Sequence, residues 1–262
     1  MARLLRFDEL PLLAISRGEI SGVSALHKFG RAQNADNGVA TDIWDGANAS
    51  INQPVWLAPT AARIHTLTSA SDDDTGGETP GTGAKVVRVF GLPSWTEPET
   101  YEDVVMNGTT GVAMTQAMVI IHRMVVTSWG STGPNAGAIQ AVAASDATIT
   151  AAIHAGEGQT QMAIYGIPAN YGLYLTGIYA SVLRATAATA DIELGATDPV
   201  NGDATKWIDK FSLAVQSSAN AIFFPFDPPR HFAGPLIMKI KATASINDSD
   251  ISAGFSGILM PD

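Results

Sequence analysis

The 262-residue chain has no cysteine, which excludes disulfide staples and thiolate metal sites. Charge is scarce as well, with Asp, Glu, Lys and Arg making up 15% of the residues. Long solvent-facing helices need more of it, so this composition points away from a helical architecture. No apolar run approaches the ~18 residues that cross a bilayer as a helix. The apolar stretch 10–15 is short and has charges before and after it, unlike the core of a secretory signal. Repeats of fixed period are missing too, which removes solenoids and propellers.

The charge that is present is mostly negative. The formal net charge is −10 and the sequence pI about 4.8. Such a surface repels phosphate, so the sequence implies no nucleic-acid partner and no membrane. The basic residues Arg3, Arg6, Arg17, Lys28 and Arg31 gather in the first 31 positions, against Asp8, Glu9 and Glu19.

Glycine (25) and proline (14) are plentiful, as short strands joined by turns require. From about residue 40 onward the pattern reads as strand. Residues 85–90 and 118–126 are β-branched or apolar runs, the second suited to burial on both faces. Asn107-Gly108 between 102–106 and 112–114 is a strong hairpin signal. Residues 147–155 and 159–164 suggest a second hairpin around Gly156-Glu157-Gly158, although the alanines of 138–152 would also suit a short helix. Residues 172–184 read as a long strand with Leu173, Leu175, Gly177, Tyr179, Ser181 and Leu183 on one face. Further strands are expected at 191–194, 211–215, 221–226, 236–244 and 251–259. This spacing predicts an all-β, antiparallel β-sandwich or jelly roll.

Chemistry-bearing patterns are weak. None of His27, His65, His122, His154 and His231 is close enough in sequence to another to form a zinc pair, and His122 reads as a strand residue, buried or solvent-facing. Ser256 lacks the Gly-x-Ser-x-Gly elbow of a serine nucleophile. The Gly-rich 156–161 has no following Lys-Ser/Thr and reads as a hairpin tip. Asp72, Asp73 and Asp74 lie in a polar loop, 69–83, that reads as a mobile surface loop. These three, Asp248 with Asp250, and Asp198 with Asn201 and Asp203 lack the closing Glu of a calcium loop and read as solvated turns. Tyr171, Tyr174 and Tyr179 suit core or subunit contacts better than a glycan platform. The expectation is a protein that is not an enzyme, with no cofactor and no metal.

Two segments carry a resemblance. Gly156-Glu157-Gly158-Gln159-Thr160, followed by Ala163-Ile164-Tyr165-Gly166-Ile167-Pro168-Ala169 and Tyr174-Leu175-Thr176-Gly177-Ile178-Tyr179-Ala180-Ser181, is the first. The second runs from Lys239-Ile240-Lys241-Ala242-Thr243-Ala244 to Ala253-Gly254-Phe255-Ser256-Gly257-Ile258-Leu259. Both resemble virion structural proteins of tailed bacteriophages with a β-sandwich body. Asn170-Tyr171-Gly172 departs from the Ala-Gly turn of that pattern. The resemblance covers about 100 residues and implies a virion part assembled in a bacterial cytoplasm. A capsid cement or decoration protein is the favoured part, and a tail or head-fibre component that binds a host receptor or glycan is the alternative.

Residues 1–40, with no sustained period, read as an extended N-terminal arm on a 41–262 sandwich. Leu4, Leu5, Arg6, Phe7, Leu10, Leu12, Leu13 and Ile15 are the expected partner contacts, since exposed apolar residues on an arm need a surface elsewhere. The expected partners are further copies of the chain, as a trimer, and a major capsid or other virion protein. Phe223 and Phe224 join the tyrosines as candidate contacts between copies.

Overall fold

The computed structural model describes residues 11–48, 51–59, 61–145, 147–184, 187–200, 206–217 and 221–262. Its secondary structure is almost entirely antiparallel β. One short helix, α1 (Pro11–Ser16), precedes β1 (Ser24–Ala35) and β2 (Ala40–Asp42). Seven strands follow: β3 (His65–Ser69), β4 (Ala84–Leu92), β5 (Thr100–Val105), β6 (Val112–Ala113), β7 (Ile120–Trp129), β8 (Ile139–Ala143) and β9 (Ile149–Ile153). The last seven are β10 (Ile164–Ile167), β11 (Tyr171–Leu183), β12 (Thr189–Thr197), β13 (Ile208–Gln216), β14 (Ile222–Ala233), β15 (Leu236–Ala244) and β16 (Ser249–Pro261).

The expected sandwich is two sandwiches, one inserted in the other. Strands in the order β1-β16-β11-β14 form one sheet, and β10-β15-β12-β13, with β2 on β15, form the sheet opposite. Between them lies an apolar core that includes Leu173, Leu175, Ile192, Ile240, Ile251 and Phe255. Strands β3 to β9 make the second pair of sheets, β6-β3-β8-β9 and β5-β4-β7. Their core holds Leu67, Val87, Val89, Ile121, Met124 and Ile139. The chain leaves the first sandwich after β2 and returns to it at β10. At that crossing Ile43 N–H donates to the Ile240 carbonyl at 2.9 Å, and Ala163 N–H donates to the Ile43 carbonyl at 2.9 Å. Ile164 and Ile237 reach from here into the second core, so the two packings are continuous.

Several sequence expectations change at this level. Residues 24–35 are no arm: β1 pairs with β16 from Ser24↔Leu259 to Ala35↔Ser249, and Ala32 and Ala35 are buried. Its alternating burial was hidden by small and polar residues. The two expected hairpins are not hairpins either. β5 pairs with β4 and β6 with β3, so Asn107-Gly108 joins two different sheets. The turn itself is real, with Gly108 at φ +60° and its N–H on the Asp74 carbonyl at 2.8 Å. Likewise β9 pairs with β8 while β10 pairs with β15, and 138–152 holds strands rather than a helix.

The loop 69–83 is anchored instead of mobile. Asp74 is fully buried within it and accepts four hydrogen bonds. Ala84 and Ala136 N–H reach Oδ1 at 2.7 and 2.8 Å, while Ser69 Oγ and Gly137 N–H reach Oδ2 at 2.5 and 2.9 Å. One carboxylate thereby replaces a missing ladder between two loops, which explains an acid buried away from any cation.

Candidate functional site

The first sandwich closes on one side and stays open on the other. Its open flank is formed by β13 and β14, the outermost strands of the two facing sheets. Strand β14 pairs with β11 at both ends, but its register breaks between Leu175 and Gly177. Phe226, Asp227, Pro228 and Pro229 therefore bulge away from the ladder. Most of β14 is exposed, Phe223 to 62% and Phe224 to 43%.

Aromatic rings join the two strands across the flank. Phe211 of β13 lies 4.8 Å from Phe224 and 5.3 Å from Phe226, and Phe224 lies 5.4 Å from Phe226. Ile208 adds a further exposed apolar side chain, and Arg230 donates to the Lys210 carbonyl at 2.8 Å. Pro225, Pro228 and Pro229 have no N–H to offer, so this edge resists the addition of another strand. Contact here must be made by side-chain faces. Lys206, Lys210 and Arg230 set against Asp209 and Asp227 also leave the flank without the excess of acid that marks the chain as a whole.

The same register break decides where the tyrosines point. Before it, Leu173 and Leu175 face the core; after it, Ile178, Ala180 and Val182 do. The bulge flips the alternation, so Tyr179 turns outward instead of sharing a face with Leu173. Tyr179 then lies 5.6 Å from His27, and Tyr174 stacks on His231 at 4.7 Å.

A second polar site sits between the sandwiches. A cavity of about 410 Å³ is bordered by Lys28 of β1, Phe90 of β4, Glu99, His122 and Arg123 of β7, and Tyr165 of β10. The Lys28 ammonium donates to the His122 carbonyl. His122 stacks on Tyr165 at 4.5 Å, and its Nδ1 accepts from Gly166 N–H at 3.3 Å. Its Nε2 lies 3.4 Å from the Glu99 carboxylate.

Burial sets the protonation of this group. It lowers Lys28 to about 7, with Glu99 pulling the value up and Arg123 pushing it further down. Burial, helped by Lys28, keeps His122 well below its ordinary value. Glu99 and Tyr165 are raised, burial again being the largest cause. The arrangement ties β1 to β7 and holds amine and imidazole readily neutral. The sequence signal for it was weak: one lysine, Lys28, on the inward phase of β1 that Gly30 and Ala32 also occupy.

Of the expected arm contacts, Leu4, Leu5, Arg6, Phe7 and Leu10 lie outside the described residues. Leu12 and Leu13 are exposed on α1 and Ile15 is half-buried there, while Ala14 faces inward. Members of the acidic clusters have protein partners: Asp72 accepts from the Thr109 hydroxyl at 2.7 Å, and Asp250, on β16 rather than in a turn, pairs with Arg31 at 2.8 Å. Asn201 and Asp203 lie outside the described residues. Among the described residues no three His, Cys, Asp or Glu side chains gather as a metal site, and no helix is long and apolar enough to cross a membrane.

No family model matches the chain, and no curated protein matches it. Among solved structures it is similar to infectious bursal disease virus Gt strain, at 10% identity and a TM-score of 0.23 over 92% of this chain and 73% of that one. It is similar also to the VP2 subviral particle of infectious bursal disease virus, at 13% identity and 0.22 over the same shares. Likeness at these scores decides neither fold nor role.

Proposed function

We propose that the chain is a non-enzymatic structural protein of a tailed-phage virion, of the capsid cement or decoration kind. In this reading it assembles with copies of itself, as a trimer, and binds a major capsid or other virion protein. The observation that carries the reading is the aromatic flank of β13 and β14. Phe211, Phe224 and Phe226 meet in a half-exposed cluster, with Ile208 exposed on β13 and Phe223 exposed on the other face of β14, apolar area that a lone molecule leaves in water at a cost of about 25 cal/mol per Å².

The occupant we assign to that flank is a second copy of the chain. The chain is acidic overall, so two copies repel wherever their surfaces are acidic, and the flank with its mixed charges is where they can approach. A surface holding both signs can also complement itself, as contacts between identical subunits require. The phage-like segments 156–181 and 239–259 supply the virion part of the proposal. They contribute β10, β11, β15 and β16, the ladder strands of the first sandwich.

The test is mass spectrometry of particles purified from a culture that makes this protein. Peptides of the chain should band with the particles at a fixed ratio to the major capsid protein and survive washing. Their recovery only in the soluble fraction would reject the virion reading.

A further inference from the structure

We propose that Lys239 and Asp42 condense to an intramolecular amide bond that joins β15 to β2. The two side chains meet at 2.6 Å, Nζ to Oδ2, with 6% and 3% of their surface exposed. This contact is built into the sheet. Asp42 stands opposite Lys241 in the β2–β15 register, and Lys239, two residues along, shares that face. Lys241 is engaged elsewhere, with Glu193 at 2.8 Å and Asp209 at 3.2 Å. Asp42 is thus left to Lys239.

The surroundings hold both reacting atoms in place. Trp56 N–H donates to Asp42 Oδ2 at 2.8 Å, and Asp42 N–H donates to the Pro54 carbonyl at 2.8 Å. The Trp207 ring covers the amine, with Nζ 4.3 Å from its centre. Burial raises the Asp42 carboxyl above its ordinary value, although Lys239 and the Trp56 N–H pull it back. An ion pair so deprived of water recovers little of its desolvation cost. Transfer of one proton across the contact gives a neutral amine and a neutral acid, the forms that react.

The step balances within the pair. The Nζ lone pair attacks Asp42 Cγ and a C–N bond forms. The second Nζ proton passes to the departing oxygen, the C–O bond breaks, and one water leaves. No oxidant, metal or co-reactant is needed. Fixed proximity is what drives such reactions, with effective concentrations of roughly 10⁵ M or more in well-oriented pairs. Exclusion of water from the finished bond slows its hydrolysis.

The position gives the bond a purpose. Asp42 ends the last strand before the chain departs for the inserted sandwich, and Lys239 lies on the strand beside the crossing. An amide there closes a covalent loop from residue 42 to residue 239 that runs through β3–β14, the inserted sandwich included. In a chain with no cysteine, it supplies the staple that disulfides supply elsewhere.

Intact-mass spectrometry of the purified full-length chain, unfolded before injection, tests this. The expected mass is one water below that calculated from the sequence, and a tryptic digest should yield a branched peptide joining the Asp42 and Lys239 segments with no cleavage after Lys239. Asp42→Ala and Lys239→Met should each return the calculated mass. The full calculated mass in the wild-type chain, with ordinary cleavage after Lys239, would overturn the proposal whether or not the variants fold. That outcome would leave the assembly reading untouched, because it does not depend on this bond.

Discussion

Gly83 lies against Asp74 so closely that a Cβ at residue 83 would come within 2.1 Å of Asp74 Oδ1. The glycine is there because the buried carboxylate must gather N–H groups from both 84 and 136 around that oxygen. Asp74→Ala would leave three backbone N–H donors and one hydroxyl unpaired in the interior. The expected loss is about 3–5 kcal/mol, beyond that of an ordinary surface aspartate. Urea denaturation of the variant measures it; a change under 1 kcal/mol would mean that water replaces the carboxylate.

The sequence revealed the class of fold and most of the later strands, since β4, β7, β11, β15 and β16 carry dense apolar or β-branched runs. It did not reveal the partners of those strands. Asn107-Gly108 specifies a turn locally, but which sheet each neighbour enters is set by packing between distant segments. The Thr176 bulge is equally silent, because its effect is a phase change that strict alternation cannot show. Strand β1 was missed for its polar residues, several of which, Lys28 and Arg31 among them, find partners only in the folded chain. The exposure of Phe223 and Phe224 was legible because adjacent aromatics on a strand cannot both face one core.

Lys28 makes stability depend on pH. Its value in the folded chain, about 7 against 10.5 unfolded, means that the unfolded chain binds more protons between those limits. Stability should therefore rise with pH across that window. Asp45, raised to about 7 by burial, opposes this only up to its own value. Tyr165 and Tyr179, raised in the folded state, oppose it only as pH nears 10. From about pH 8 to 9.5 the gain should be on the order of 1–2 kcal/mol. Chemical denaturation across that range checks the slope, which Lys28→Met should flatten; a flat wild-type profile would show that Lys28 keeps its ordinary affinity for protons.

Two truncations separate the arm from the body. Removing residues 2–10 should leave the far-ultraviolet dichroism and melting temperature close to those of the whole chain. Removing residues 2–40 takes away β1 and the first residue of β2, leaves β16 paired with β11 alone, and strips Ala32 and Ala35 from the core. That chain should lose its cooperative melt. A longer truncation that still melts cooperatively would put β1 outside the folding unit.

Copies of this chain are proposed to meet through the β13–β14 flank, and sedimentation velocity of the full chain measures this most directly. Phe223→Asp and Phe224→Asp together place a charge on each face of β14 and leave the buried Phe232 in place. The wild-type chain should sediment as an oligomer at micromolar concentration, and the double variant as a folded monomer near 27.3 kDa. A wild-type monomer, or a double variant that remains oligomeric, would contradict the claim.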